Sequence, residues 1–483
     1  MSLSPLIAIC GTTGVGKSKL AVELALKLSQ GSYSHGWHGA RIINADSMQI
    51  YKGMDIITNK IPVPERQGIE HVLMGFKDPS EQYVVGQWVR DAMSEVAKAH
   101  ERKQIPIIVG GTSYWIQHLI FPDRLAADPD HPARTLDSTP SEGLATSLAQ
   151  LPPELLRLFY ALPDIPPSAS EDPEGAFSLH ALLSALDPVV ASRWHWRDTR
   201  KVLRNLIIMR DQGRRPSEIL SEQSQRIIRP RYRTLCFWLY AKPEVLNTRL
   251  DARVDDMISQ GLLNEIRDLH RISIEAPASL ASSQTSGGIE DEGQKPDYTL
   301  GLYQSIGYKE FHAYLEQSIP SDQAFDAAVE AMKLSTRKYA KRQVSWLRNK
   351  LLPAIYAANE SVDTKDVAAY LLDATELGDK WGSEVRDNAA SLTQGNFLDN
   401  KALPEPSSLS EIAKTMLSVP SKPKDPTAVL QARRKTICTA CTVNELQPVM
   451  IDEGDRRAHE RTRDHRRMLS KARKALLQEP TDN

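Results

Sequence analysis

The segment GTTGVGKS at residues 11–18 constrains the fold most, because it fits the pattern G-x-x-x-x-G-K-[ST]. Such a segment joins a buried strand to a helix, and its backbone N–H groups surround a phosphate group. The flanking sequence agrees with this context. An apolar run at residues 6–10 precedes the loop, and Leu20, Leu24 and Leu28 follow at helical spacing. The loop therefore predicts phosphate binding, but it does not reveal which phosphate compound is bound or which reaction follows.

Further apolar segments alternate with helical patterns along the chain. A second strand is expected to end at Asp46, a third to break at Gly110 and Gly111, and a fourth to span residues 235–243. This alternation predicts an α/β fold: a parallel sheet like that of P-loop NTPases, with helices on both faces. Ligands bind at the carboxyl ends of the strands in such sheets. We therefore expect the phosphate loop, Asp46 and residues 110–112 to converge on one site.

Changes in composition suggest the domain boundaries. A chain of 483 residues is long enough for two or three domains. Stretches rich in Pro, Ser, Asp and Ala interrupt the α/β pattern, and residues 274–297 have the composition of a disordered segment. The expected parts are the α/β core at 1–122 and 196–356, a mainly helical insertion at 123–195, a linker at 357–425, and a separate small module with a basic tail at 426–483.

Charge and cysteine usage limit the environment and the partners. The net charge is −1, so attraction to nucleic acid must come from local basic clusters. We expect no membrane partner, because no apolar run approaches the roughly 18 residues of a membrane span. Cys10 and Cys236 lie in apolar segments and are expected to be buried thiols. These features predict an intracellular, reducing compartment. The cytoplasm is expected, and a mitochondrial or nuclear share is left open.

The segment NADSMQIYKGMDIITNK at residues 44–60 contains the first candidate catalytic group. A carboxylate at Asp46 that faces a phosphate loop can hold Mg²⁺ or act as a general base. The same Asp-Ser pair at a strand end is also a common helix cap, and the residues alone leave both readings open. Ser47 and Gln49 carry groups suited to reading the edge of a base.

Four residues near the C-terminus have the spacing of a metal site. Cys438, Cys441, His459 and His465 follow the pattern C-x₂-C-x₁₇-H-x₅-H. Two thiolates and two imidazoles suit a closed tetrahedral Zn²⁺ site. Chance placement of Cys and His is the alternative. Six arginines lie around the histidines, which favours an RNA phosphate contact.

Several segments together resemble the tRNA dimethylallyltransferases, also called tRNA isopentenyltransferases. The resemblance covers most of residues 5–352, and the C-terminal finger resembles that of eukaryotic members. The chain departs from the family pattern at WHWRD (194–198) and at Trp115. The matching segments are GTTGVGKS, NADSMQIYKGMDIITNK, VGGTSYW, LHALLSALDPVVASRWHWRDTRKVLRNLIIMRDQGRRPSE, TRLDARVDDMISQGLLNEI, SIGYKEF and TRKYAKRQVSWLR.

The resemblance implies a reaction, partners and site residues. The implied donor is dimethylallyl diphosphate, and the implied acceptor is N6 of adenosine 37 beside the anticodon. Mg²⁺ is expected to assist, and the enzyme is expected to be a monomer. The insertion at 123–195 is then expected to contact tRNA, and the module at 426–483 is expected to be a zinc finger. Asp46 matches the general base of the family and Arg253 its diphosphate-side arginine. The implied catalytic residues are Asp46, Thr13 and Arg253; the diphosphate-binding residues are Gly11, Thr12, Gly14, Val15, Gly16, Lys17, Ser18 and Arg249. The implied tRNA-binding residues are Ser47, Met48, Gln49, Thr112, Arg200, Lys201, Arg204, Gly307, Tyr308, Lys309, Arg342, Gln343 and Trp346.

Without the resemblance, two other functions would fit. One is a small-molecule kinase with a P-loop, and the other is a non-enzymatic RNA-binding zinc-finger protein. Arg249 and Arg253 share a helix face at i, i+4 spacing, which is also typical of a solvated face. Likewise, most of the basic clusters could be ordinary surface charge, and Trp346 could belong to the core.

Overall fold

The computed structural model describes residues 3–30, 36–122, 140–225, 228–275, 301–317, 321–360, 365–395, 401–419 and 434–476. The chain divides into two compact units. The first unit comprises Met1–Pro122 and Ile228–Ser421, and the second comprises Asp123–Ile227 and Lys422–Asn483. The segment 274–297, expected to be disordered, lies almost entirely outside the described residues.

A six-stranded parallel sheet forms the centre of the first unit, as predicted. Its strand order is β3-β2-β4-β1-β5-β6. All residues of β1, β2 and β4 are buried, which is expected for parallel strands covered by helices on both faces. The strands are β1 Pro5–Gly11, β2 Ala40–Asn44, β3 His71–Val72, β4 Ile105–Val109, β5 Arg233–Tyr240 and β6 Val367–Asp373.

Helices cover both faces of this sheet. Alternate residues of β1 belong to different cores: Leu6 and Ala8 pack in one, and Ile7 and Ile9 pack in the other. The helices of this unit are α1 Lys17–Gln30, α2 Val85–Glu101, α3 Ser113–Ile120, α10 Pro243–Ser259, α11 Leu262–Glu275, α12 Tyr308–Leu315, α13 Asp322–Trp346, α14 Leu352–Glu360, α15 Asn388–Thr393 and α16 Glu411–Leu417. Short turns of 3₁₀ or π-helix occupy Val63–Arg66, Gly301–Gln304, Leu347–Leu351, Trp381–Asp387 and Pro406–Ser408.

The prediction that residues 357–425 form a linker is wrong. Its segment Val367–Asp373 is strand β6, which pairs with β5 over seven residues, from Thr234↔Val367 to Tyr240↔Asp373. Five residues of β6 are buried. The segment was missed because its apolar run is short and lies among Pro- and Ser-rich stretches without clear periodicity.

The described part of the second unit up to residue 225 contains six helices and an apolar core. The predicted boundary of the insertion at residue 195 is wrong, because α8 (Thr199–Gln212) contributes Val202, Leu203 and Leu206 to that core. The core of the first unit therefore resumes only at Ile228. The six helices are α4 Glu142–Ala149, α5 Pro153–Tyr160, α6 Pro173–Leu186, α7 Pro188–Ala191, α8 Thr199–Gln212 and α9 Pro216–Gln225.

The C-terminal region packs on this helical insertion, so the expectation of a separate module is wrong. Strands β7 Lys435–Ile437 and β8 Met450–Asp452 form an antiparallel pair, and the helices Arg456–Glu460 and Arg463–Leu476 follow. The indole N–H of Trp196 is buried and donates to the Pro448 carbonyl at 2.9 Å. This contact involves the WHWRD segment, where the sequence departs from the family pattern. Across the described residues, no helix combines the length and apolarity needed to cross a membrane.

Candidate active site

The phosphate loop runs from the end of β1 to the start of α1. Gly11, Gly14 and Gly16 have φ angles of 142°, 80° and 83°, which L-residues with side chains rarely adopt. A Cβ at Gly11 would also lie 2.3 Å from the Leu239 carbonyl oxygen of β5. The loop glycines are therefore required by the backbone path. Among the other predicted loop residues, Thr12 and Val15 are buried, and Thr13, Lys17 and Ser18 are partly exposed.

Lys17 places a positive charge in this loop. Its Nζ donates to the Thr12 carbonyl at 2.7 Å. Burial lowers the pKa of Lys17 to about 8, because desolvation outweighs the attraction of Asp46. A desolvated cation with a lowered pKa is stabilised by added negative charge. The loop is therefore suited to an anionic ligand.

Arg253 reaches the same loop from α10. Its Nη1 donates to the Thr13 hydroxyl at 2.6 Å, and its Nε is buried with no hydrogen-bond partner among the described residues. Burial lowers the pKa of Arg253, and the charge of Asp46 opposes this shift. A solvated helix face is therefore ruled out for Arg253. The buried, incompletely paired guanidinium beside Thr13 is suited to binding an anion.

Arg249, one turn earlier on α10, contacts the protein backbone instead. Its Nη1 donates to the Gly14 carbonyl at 3.1 Å and to the Ala374 carbonyl at 3.2 Å, and its Nη2 donates to the Thr375 carbonyl at 2.7 Å. Arg249 was predicted to bind diphosphate, but these contacts show that it fastens the loop to the segment after β6. The sequence could not reveal this, because the carbonyl partners lie 125 to 235 residues away.

Asp46 follows β2 and faces the phosphate loop. Its Oδ1 accepts from the Met48 backbone N–H at 3.0 Å, so the carboxylate does cap the local turn. Its Oδ2 lies 2.9 Å from the position that a Cβ on Gly111 would occupy. Its charge also acts on the pKa of Lys17 and Arg253. Asp46 can therefore cap the turn after β2 and still act in the site beside the phosphate loop.

Thr112 connects the turns that follow β2 and β4. Its hydroxyl accepts from the Ser47 backbone N–H at 3.0 Å and donates to the Ser47 hydroxyl at 3.2 Å. Nearby, the Gln49 amide nitrogen donates to the carbonyls of Thr58 and Asn59, which leaves its amide oxygen to accept from a ligand. The predicted convergence of strand-end residues is therefore confirmed.

Three predicted tRNA contacts are wrong, because the side chains or backbone are buried. Tyr308 is fully buried at the start of α12, and its hydroxyl contacts Ser273 at 2.9 Å. Gly307 caps the same helix at a φ of 114°. Gln343 is 5% exposed and binds two backbone groups of the first unit. Aromatic and amide side chains suit RNA surfaces and protein cores equally, so only the packing separates them.

Other predicted tRNA contacts do lie at the surface. Lys309 and Arg342 are exposed, and Trp346 is half-buried with its ring edge-to-face with Tyr114 at 5.6 Å. In the second unit, Lys201 lies over the Trp194 ring at 4.7 Å. Arg200, Lys201 and Arg204 are all exposed at the start of α8. Cations interleaved with aromatic rings suit contact with RNA phosphates and bases.

The predicted metal ligands come together in the second unit. The four ligand atoms of Cys438, Cys441, His459 and His465 all lie within 4.8 Å of one another. Cys441 Sγ is 3.5 Å from His459 Nε2 and 3.4 Å from His465 Nδ1, close to the ligand separations of a tetrahedral zinc site. Burial and the neighbouring Cys438 raise the pKa of Cys441 to about 11. This set of donors fits a divalent cation that would stabilise the thiolates.

Two residues near the loop were missed by sequence reasoning. Tyr339 lies on α13, where burial and the charge of Asp46 raise its pKa, and its hydroxyl lies near the Gln343 amide. Trp381 packs against Gly16, since a Cβ on that glycine would lie 2.7 Å from the indole ring. Its indole N–H donates to Glu23 of α1 at 2.8 Å. The spacing of Tyr339 and Gln343 was available from the sequence, whereas nothing local marked Trp381.

The site defines a P-loop α/β protein in which a carboxylate faces an anion-binding loop. Comparisons with known proteins identify the family to which this P-loop protein belongs. The sequence pattern described as IPP transferase matches residues 49–350. The chain is 35% identical over 473 residues to the tRNA dimethylallyltransferase of Schizosaccharomyces pombe, covering 96% of this chain and 94% of the relative. It is 31% identical to the human tRNA dimethylallyltransferase over 83% of this chain and 76% of that protein.

A solved structure agrees over nearly the full length. It is a eukaryotic dimethylallyltransferase described as acting on tRNA, 30% identical, with a TM-score of 0.72 and coverage of 98% of both chains. The protein therefore belongs to the family of tRNA dimethylallyltransferases, the IPP transferases.

Proposed function

We propose that the protein transfers the dimethylallyl group of dimethylallyl diphosphate to N6 of adenosine 37 in tRNA. The observation that carries this proposal is the pairing of an anion-binding cluster, Lys17, Arg253 and Thr13, with the Asp46 carboxylate in one site. Family membership and the names of the relatives support the same activity.

The donor diphosphate is bound by the loop amides and by Lys17 and Arg253. Its departure leaves negative charge on the oxygen that was bonded to the dimethylallyl carbon, and preorganised donors stabilise that charge. The Thr13 hydroxyl accepts from Arg253 at 2.6 Å, so its own proton is available to the leaving oxygen. Bound Mg²⁺ would neutralise further charge, and the Ser18 hydroxyl and Asp46 carboxylate offer the oxygen ligands that it prefers.

Asp46 acts on the nucleophile. The N6 amino group of adenine is a weak nucleophile because its lone pair is delocalised into the ring. As N6 forms its bond to the dimethylallyl carbon, the carbon–oxygen bond to diphosphate breaks and the leaving oxygen takes that electron pair. The Asp46 carboxylate accepts one N6 proton, which restores a neutral amine.

The acceptor base must leave its stack to reach this site. We propose that exposed basic and polar side chains bind the anticodon arm, with Gln49 among those that read the base. The four Cys and His residues of the finger would hold a structural Zn²⁺, and the protein would act as a cytoplasmic monomer. The candidate tRNA contacts that stay in the proposal are Ser47, Met48, Gln49, Thr112, Arg200, Lys201, Arg204, Lys309, Arg342 and Trp346.

The test is transfer of label from dimethylallyl diphosphate to unmodified tRNA in the presence of Mg²⁺. Asp46→Asn is expected to lower the single-turnover rate at least about 100-fold, since a general base contributes 10²–10⁴-fold. Asp268→Asn is the matched control, because Asp268 is exposed and pairs with Arg271 on α11. ATP turnover without label on tRNA would instead establish a small-molecule kinase.

A further inference from the structure

The Gln343 side chain joins two loops that are far apart in the sequence. Its Oε1 accepts from the Thr13 backbone N–H at 3.0 Å, and its Nε2 donates to the Gly111 carbonyl at 3.0 Å. Thr13 belongs to the phosphate loop, and Gly111 belongs to the turn after β4. Gln343 is 5% exposed, so water does not compete for these bonds. The oxygen and the nitrogen of the Gln343 amide therefore each hold one loop, and together they set the distance between the phosphate loop and the turn after β4.

The two hydrogen bonds of Gln343 form a bridge between the loops, and the Gly111 end of this bridge lies beside Asp46, the proposed general base. A Cβ on Gly111 would be 2.8 Å from Gln343 Nε2, 2.9 Å from Asp46 Oδ2 and 3.6 Å from the Tyr339 hydroxyl. The amide, the carboxylate and the phenol therefore surround the position that a Cβ on Gly111 would occupy. Tyr339 lies four residues before Gln343 on α13, so both side chains are on the same helix face. A rigid helix thus holds the groups around Asp46.

We propose that Gln343 is a positioning residue that sets the separation between Thr13, on the leaving-group side, and Asp46, the general base, and that Tyr339 steadies its amide. This inference rests on the proposed function. Gln343 contacts neither substrate in this role. It acts through the Thr13 amide and the Gly111 turn, and it explains why a buried amide occupies a helix position that faces the site.

The bridge requires a side chain with one donor and one acceptor at the length of glutamine. Leucine has a similar volume and offers neither group. Glutamate offers only acceptors when ionised, and its charge would lie beside Asp46. Asparagine keeps the amide but is one methylene shorter, so it cannot reach both loops at once. Misplacement of reacting groups by about 1 Å can cost 100-fold in rate.

The experiment measures single-turnover transfer, KM for tRNA and the Kd of inorganic diphosphate for Gln343→Leu, Gln343→Asn and the wild type. Gln343→Leu is expected to lower the transfer rate about 100-fold, with KM for tRNA unchanged within twofold. The Kd of diphosphate should rise about tenfold, because the Thr13 amide loses its support. The transfer rate and the diphosphate Kd of Gln343→Asn should lie between those of Gln343→Leu and the wild type. Glu330→Gln is the control, since Glu330 is exposed on the same helix and pairs with Lys333.

The possible outcomes separate this inference from the proposed function. A Gln343→Leu variant that raises KM for tRNA and leaves the transfer rate intact would make Gln343 an RNA contact and overturn the inference. The inference would also be overturned if the wild type transfers label and Gln343→Leu transfers it at the same rate. If the wild type transfers no label, the proposed function fails. The inference about Gln343 is then tested by the Kd of diphosphate alone, and an equal Kd in Gln343→Leu and the wild type overturns it. Equal melting temperatures exclude misfolding, and Tyr339→Phe, which keeps the ring, should give a smaller rate loss.

Discussion

Lys17 makes donor binding dependent on pH in a direction that follows from its surroundings. In the free protein, burial lowers the pKa of Lys17 to about 8. A bound diphosphate adds negative charge beside Nζ and favours the protonated form. Binding at high pH must therefore include uptake of a proton, so affinity falls as the pH rises through 8.

The size of the effect follows from the protonated fraction of Lys17. With a pKa of about 8, roughly nine-tenths of the lysine is charged at pH 7 and about 3% at pH 9.5. If the pKa in the complex is above this range, the affinity should fall about 30-fold between these pH values. This loss corresponds to about 2 kcal/mol of binding free energy.

The assay is calorimetric titration with dimethylallyl diphosphate across this pH range, in buffers of different ionisation enthalpy. Proton uptake should approach one per donor bound near pH 9.5. The matched control is Lys17→Arg, because arginine stays charged throughout and should remove most of the dependence. A flat affinity in the wild type, or the same slope in Lys17→Arg, would refute the reasoning.

Two further predictions concern the second unit. Trp196→Phe removes the indole N–H and leaves the buried Pro448 carbonyl unpaired, so the free energy of unfolding should fall by about 1–3 kcal/mol. Thermal unfolding should show this, with Tyr160→Phe as an exposed control; a shift no larger than that of the control would contradict it. Cys441→Ser should lower the bound zinc, measured by a colorimetric chelator, from about one equivalent to a small fraction, since one of four closed ligands is lost. A variant that keeps a full equivalent would show that the four residues do not form the site.

Local sequence was sufficient wherever the structural requirement is itself local. The phosphate loop, the break at Gly110 and the clustering of the four candidate metal ligands were predicted and lie where expected. Strand β2 ends at Asn44, two residues before the predicted end at Asp46. Strand β6 was not predicted, because its short apolar run carries no turn or periodic signal. The boundary of the insertion was misplaced for a related reason: a helix such as α8 has the same pattern whichever core receives its apolar face.

The sequence by itself determined the phosphate loop, since its glycines adopt φ angles that few other residues tolerate. It also identified four candidate metal ligands by their type and spacing. Only the tertiary structure decided the roles of Arg249, Tyr308 and Gln343. Each has a side chain that suits both an RNA surface and a buried hydrogen bond. Their partners lie tens to hundreds of residues away, and long-range packing alone determines whether water or protein surrounds them.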